Sequence, residues 1–303
     1  MVEHTEDNTA DGFSTEWLTL REPADHAARS MSLTQQLGLW AAKQASLQVL
    51  EMGCGTGSNL RYLSPHLGHD QRWTLLDNDE SLLQNLPAIL QQWAVLNNIE
   101  FSVSADAISL SNSDFSATVQ WQQADLANEL EALAFDRAHL VTASALLDLT
   151  SQAWLQRLAK CCIDNECASL FALNYDGRIN WQPSMQFDAT VSDLLNQHQM
   201  NDKGFGPAMG PQAGNTMAQH LSASQHVTIE PSDWHITPNQ QALQTALIDG
   251  WLDAAAELAA GDLDELRQWH ETRRAAIAST ESSLKVGHID ILSLPLSDDS
   301  TVS

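Results

Sequence analysis

Val49-Leu-Glu-Met-Gly-Cys-Gly-Thr-Gly57 ends an apolar run on an acid, Glu51, and follows it with three alternate glycines, Gly53, Gly55 and Gly57. A helical pattern opens next, and a second apolar run, Trp73-Thr-Leu-Leu-Asp77, ends in another acid twenty residues after Gly57. The pattern predicts a strand, a turn too tight for a β-carbon, a helix start, and a second strand tipped with a carboxylate. In such a unit backbone amides lie against a nucleotide-like ligand, and the carboxylate of Asp77 takes both hydroxyls of a ribose.

The spacing separates two cofactors. A dinucleotide site wants Gly-x-Gly-x-x-Gly, with a pyrophosphate over the helix N-terminus. Here the order is Glu-x-Gly-x-Gly-x-Gly, and it resembles motif I of the class I S-adenosylmethionine (SAM) dependent methyltransferases. SAM carries no phosphate, and its ammonium and sulfonium suit an acidic strand end such as Glu51. The resemblance covers roughly residues 30 to 175 and 226 to 293. It implies a methyltransferase with SAM as cofactor. Two further stretches, Trp17-Leu-Thr-Leu-Arg-Glu-Pro-Ala-Asp25 and Asn196-Gln-His-Gln with Lys203-Gly-Phe-Gly-Pro207, are similar to a largely uncharacterised bacterial subgroup of that family.

Outward from this unit, apolar runs alternate with helical patterns, which predicts an α/β, doubly wound, mostly parallel sheet. Strands are expected at 47–52, 72–77, 117–123, 138–143, 168–173, 226–236 and 284–292, seven in all. Pro87 is expected to kink or split the helix that follows the second strand. Residues 174–225 are too long for a crossover and too patterned for disorder, and read as an α-helical cap inserted after strand five. The expected organisation is a disordered 1–14, a methyltransferase domain over 15–296 with the cap inside it, and a disordered tail over 297–303.

Open α/β sheets bind ligands at the carboxyl ends of their strands, so candidate residues are those the pattern places there. The cofactor candidates are Glu51, Gly53, Cys54, Gly55, Gly57, Asp77, Asn78, Asp125, Leu126 and Ser144. Asp125 and Leu126 resemble the acid-plus-apolar pair that flanks adenine in this family; the plainer reading of Asp125 is a helix N-cap. Methyl transfer is an in-line displacement that needs a base only when the acceptor is a weak acid. Asp148, Asp176 and His198 are the candidates for that base, each with a structural alternative as cap, turn or helix surface. Arg21, Arg178, Lys203 and Phe205 are candidate contacts to the substrate, the cations because they could meet an anionic group.

The formal net charge of −25, from 39 acids against 14 Lys and Arg, argues against a nucleic-acid partner, which needs clustered basic residues. No apolar run approaches the roughly 18 residues of a membrane helix. The N-terminal segment lacks the basic and apolar regions of a signal peptide, and the four cysteines form neither a disulfide framework nor a zinc pattern. No metal is expected. A cytoplasmic protein acting on an O or N atom of a small molecule is expected, with the oligomeric state open, a homodimer included. Two alternatives stand beside this. An NAD(P)-dependent oxidoreductase would need the other glycine spacing and a Tyr-x-x-x-Lys or His dyad, and neither Tyr62 nor Tyr175 precedes such a lysine. A non-catalytic SAM-binding partner protein would often have a degraded glycine turn, and this turn is intact.

Overall fold

The computed structural model describes residues 13–296 apart from 69, 105 and 260, so of the expected disordered segments 1–14 and 297–303 all but Phe13 and Ser14 lie outside the described residues, and Ser14 is ordered as a helix cap. Ten strands among them form one sheet. They are β1 (Leu47–Met52), β2 (Gln71–Asp77), β3 (Glu100–Val103), β4 (Ile108–Ser111), β5 (Ser116–Gln123), β6 (Leu140–Ser144), β7 (Ala168–Gln182), β8 (Gln225–Pro231), β9 (Trp234–Ile236) and β10 (Ser283–Pro295). Their order is β3-β4-β5-β2-β1-β6-β7-β10-β8, with β9 set beside β10. The five strands from β5 to β7 are parallel, β10 runs antiparallel between β7 and β8, and β3 and β4 add an antiparallel edge. The fold class is thus the expected doubly wound one, with ten strands instead of seven. The additions are the β3–β4 ribbon and the division of the expected 226–236 strand into β8 and β9.

Helices cover both faces. On one side α2 (Met31–Ala41), α3 (Ser58–Leu63) and α4 (Glu80–Leu96) bring Leu33, Leu37, Leu60, Leu86 and Leu90 onto β1 and β2. On the other, α5 (Gln152–Asp164) and α7 (Ala213–Ser222) bury Trp154, Leu155, Leu158, Met217 and Leu221. The central strand β1 is covered on both faces, which is why its sequence is a continuous apolar run and not an alternating one. Helix α4 passes through Pro87 without interruption. An interior proline costs a helix about 3 kcal/mol, and the buried row Leu82, Leu83, Leu86, Leu90 and Ala94 outweighs that by anchoring both halves to one core.

The region after strand five departs most from expectation. Strand β7 continues to Gln182, so residues 174–182 are sheet and not cap, and α7, which also falls within the expected cap, is an ordinary helix of the sheet layer. The extended ends of β7 and β10 instead carry a third core with β9. Over it pack α1 (Thr15–Ala28), α6 (Asp188–His198), α8 (Gln241–Ala256) and α9 (Leu263–Ala278). A β-bulge marks the departure from the main sheet: the register shifts between Ile289 and Ile291, opposite Leu173, whose φ is 54°. Asp290 supports that left-handed residue by accepting from the Leu173 amide at 2.8 Å while pairing with buried Arg29. Bulges bend and twist a strand pair, and here the bend carries the strand ends over the carboxyl edge of the sheet.

Candidate active site

A cavity of about 270 Å³ opens at the carboxyl ends of β1, β2, β5 and β6. Its floor is the glycine turn. Gly53, Gly55 and Gly57 have φ values of 62°, 51° and 77°, all in the left-handed region. A β-carbon at Gly53 would lie 3.3 Å from Leu146, and one at Gly55 would lie 3.1 Å from Leu18 of α1. The alternate spacing therefore has two causes, backbone conformation and close approach. Gly57 does not face the cavity; a β-carbon there would press on Leu86 of α4, so its part is helix packing.

Asp77 ties the turn to the second strand. Its Oδ2 accepts from the Gly55 amide at 2.7 Å and its Oδ1 from the Asp79 amide at 3.0 Å. Burial raises its pKa above the usual carboxylate range, against the pull of those two amides. Glu51 lies deeper. It is 1 % exposed, and its Oε2 has no hydrogen-bond partner among the described residues. Burial pushes its carboxyl up to about 8, although the guanidinium groups of Arg29 and Arg61 oppose the shift.

Cys54, Asn78, Asp125, Leu126 and Ser144 line the same cavity. Asp125 also caps the turn that follows it, accepting from the amides of Ala127 and Asn128 at 3.0 and 3.2 Å, so the plainer reading of this residue describes a real contact. Leu126 is fixed from behind, its carbonyl accepting from the Trp154 indole at 2.7 Å.

The catalytic candidates separate. Asp148 sits on the short turn that delivers Leu146 and Leu149 to the cavity. It is 8 % exposed, and its Oδ1 is without a partner among the described residues. Burial raises its pKa to about 6, opposed by its own backbone amide and by the charge of Arg21. None of the three candidates lines the cavity: Asp148 lies between two residues that do, and Asp176 and His198 lie on other elements. Asp176 pairs with Arg178 on the outer part of β7, and Arg178 also meets Asp233 at 2.8 Å. His198 bridges α6 to α8 through Glu257 at 3.1 Å. Arg178 thereby leaves the group of substrate candidates as well, while Arg21, Lys203 and Phe205 all line the cavity.

The roof joins Arg21, Lys203 and Phe205, which the sequence singled out, to Leu18 and Asp25, which it did not. Helix α1 starts at Ser14, whose hydroxyl accepts from the Trp17 amide, and contributes Leu18, Arg21 and Asp25 to the wall. It is fastened by Glu22 to Arg61, by His26 to Ser58 and by Asp25 to the Trp234 indole. The segment 17–29 stood out in sequence as a subgroup-like stretch holding the candidate Arg21, and Pro23 within it disguised a helix. From the other side comes Lys203-Gly-Phe205, set by the Asp202 carboxylate accepting from the Gly204 and Gly206 amides. Phe205 meets Trp154 edge-on at 5.3 Å. No cluster of His, Cys, Asp and Glu among the described residues could hold a metal. None of the described helices is long and apolar enough to cross a membrane.

Two features test whether SAM suits this site. The unpartnered buried oxygen of Glu51 demands a cationic or donor group, and a cradle that excludes β-carbons leaves room for a ligand against the backbone. Both fit. A family profile described as a methyltransferase domain matches residues 49–142, the segment holding the glycine turn, Asp77 and Asp125. No curated protein matches the chain. Among solved structures it is similar to YjhP from E. coli, with 12 % identity over 92 % of this chain and 98 % of that one and a TM-score of 0.45. It is also similar to a SAM-dependent methyltransferase from Geobacter sulfurreducens in complex with S-adenosyl-L-homocysteine (15 %, 95 % and 100 %, 0.44). A third is the cyclopropane synthase MmaA2 from Mycobacterium tuberculosis (10 %, 92 % and 94 %, 0.44). At this level of identity and overlap residue roles do not transfer between chains. The acid-tipped strand ends and the left-handed glycine turn lie within residues 49–142, the segment that matches the methyltransferase domain profile.

Proposed function

We propose that the protein methylates an oxygen or nitrogen atom of a small molecule, with Asp148 receiving the proton that the acceptor gives up. The observation that carries this is Asp148, a buried carboxylate whose Oδ1 has no partner among the described residues, on the turn between Leu146 and Leu149, which line the cavity although Asp148 itself does not. SAM, when bound, supplies a methyl group on a sulfonium, already a good leaving group. The chain's part is to hold and align. Alignment is worth up to ~7–11 kcal/mol in favourable cases. The roof of α1 and the 203–205 loop limits the acceptor to a small molecule and keeps water from the reacting atoms. Glu51 would meet the ammonium of the cofactor, Asp77 the ribose, and Asp125 with Leu126 the adenine. A carbon acceptor would leave Asp148 without a proton of ordinary acidity to take.

The first test is binding. SAM and S-adenosylhomocysteine should bind in the micromolar range, and NAD and NADP far more weakly. Between about pH 6 and 7.5 the unliganded Glu51, with its pKa near 8, holds its proton. An ammonium placed beside it favours the ionised form. Binding should therefore release about one proton, and affinity should climb as the pH rises through this window. Titration calorimetry in buffers of different ionisation enthalpy reads both. Tight NAD binding without SAM binding would refute the whole assignment.

The second test concerns Asp148. A base must be ionised to work, so turnover should rise as the pH passes through about 6. Asp148→Asn should lose that rise and about a hundredfold or more of kcat, in line with the 10²–10⁴ typical of a positioned base. The acceptor needed for the pH–rate profile comes from screening a metabolite extract with methyl-labelled SAM. An unchanged profile in the variant would remove Asp148 from the chemistry.

A further inference from the structure

We propose that two copies of this chain join edge to edge through β8, paired antiparallel about a two-fold axis at Thr228, so that one sheet runs through both. The sheet of a single copy ends on β8, which pairs only with β10 among the described residues. In an antiparallel pair every second residue turns its N–H and C=O away from the neighbouring strand. On the outer side of β8 those groups meet no hydrogen-bond partner among the described residues. Such an edge is a template for another strand unless charge, proline or a covering element blunts it. Strand β8 has seven residues, no lysine, and its proline only at the last position, whereas the opposite edge, β3, has four residues.

The strand is complementary to its own reverse. It reads His226-Val-Thr-Ile-Glu230. With Thr228 on the axis, Val227 of one copy lies opposite Ile229 of the other and His226 opposite Glu230, each pair occurring twice as a two-fold demands. The two faces of the strand agree with this pairing. Val227 packs on the core beneath α7, and Ile229, two residues on and hence on the same face, is 43 % exposed. Pairing would cover Ile229 with an apolar neighbour. His226, Thr228 and Glu230 share the other face, where the imidazole can donate to the carboxylate. Directly opposed residues in such a ladder have β-carbons roughly 4.5–5.5 Å apart, near enough for both contacts.

Charge singles out this edge from the rest of the surface. Two copies that each carry −25 repel wherever their acids face each other. From Gly204 to Ile229 the chain holds no Asp, Glu, Lys or Arg, the longest such run in the sequence. That run forms α7 and most of β8, so the strand and the helix packed over it present an uncharged face to a second copy. No residue of α7 or β8 lines the cavity. Pairing therefore leaves the cavity open, and the inference stands apart from the methyl-transfer reading.

Sedimentation equilibrium of the full chain at neutral pH should give twice the chain mass of 33.3 kDa. Ile229→Lys, which sets a charge into the apolar pair, should sediment as a monomer with an unchanged circular dichroism spectrum. His226→Glu, which sets acid against acid at two places, should weaken the dimer about tenfold. Adding Glu230→Lys to that variant should restore it, because the pair is then reversed and still opposed. Thr228→Cys should be linked into a covalent dimer by a short bifunctional thiol reagent that leaves the parent chain single, and this readout decides the matter if Ile229→Lys fails to fold. A wild-type chain that stays monomeric up to about 100 µM, where even a weak homodimer forms, overturns the proposal. So does a dimer that survives Ile229→Lys, a His226→Glu variant that Glu230→Lys does not repair, or a Thr228→Cys chain that stays unlinked.

Discussion

Gly55→Val should abolish SAM binding at practical concentrations, an affinity loss of about a hundredfold or more, or ~3 kcal/mol at 1.4 kcal/mol per tenfold. Two effects add. The residue sits at φ 51°, where any side chain costs roughly 1–2 kcal/mol and a β-branched one costs more. Its first carbon would also come within 3.1 Å of Leu18, so the roof helix must lift or the turn must move, and either change opens the cavity. Gly68→Ala is the control. Gly68 has φ 78° but nothing within 4 Å of the added carbon, so it should lose a little melting temperature and no affinity. Calorimetry with S-adenosylhomocysteine, with circular dichroism to confirm the fold, separates the two. Ordinary binding by Gly55→Val would mean the turn does not cradle the ligand.

Asp77→Ala should cost nearly as much, about thirtyfold to a few hundredfold in affinity for the same ligand. The side chain makes two charge-assisted contacts to the Gly55 and Asp79 amides, and the proposed ribose contact adds to them; one such bond is worth ~1.5–3 kcal/mol. Removing it frees the turn and orphans two amide donors at once. Asp77→Asn keeps one acceptor oxygen and should fall between. If Asp77→Ala binds as the wild type does, the acid only latches the turn, and the ribose contact must come from elsewhere.

What could be read in the sequence follows from the range of the forces involved. The 49–57 and 73–77 segments are local, since conformation and burial there are fixed by near neighbours, and the parallel order around β1 follows from them. The course of β7 beyond residue 173 was not legible, because its extension pairs with β10, more than a hundred residues away in sequence, across a bulge that only Asp290 and Arg29 explain. The same holds for α1, whose seat on Gly55, Arg61 and Trp234 is entirely tertiary. Asp176 and Arg178 illustrate an error that the local sequence could have prevented. They flank Gly177, whose φ is 89°, in a bulge of β7, and the turn there lets the Asp176 carboxylate accept from the Arg178 amide while pairing with its side chain. His198 and Glu257 lie on different helices, and nothing local announces their meeting.

The walls of the cavity come chiefly from four places: the glycine turn and strand ends within 49–142, the turn over residues 144–149, the helix over residues 15–28, and the loop around Phe205. Only the first lies in the segment that the methyltransferase domain profile matches. Under the proposed function, cofactor chemistry and acceptor choice are thus written on different stretches of the chain. Descendants of such a gene can trade one acceptor for another by changing α1 or the 203–205 loop, while the sheet and its glycines stay under unaltered selection. Chains that are recognisable as relatives over the turn can therefore act on unrelated molecules. In a lineage of this kind, the residues at positions 18, 21, 25 and 203–205 would report a shift in acceptor sooner than any overall measure of divergence.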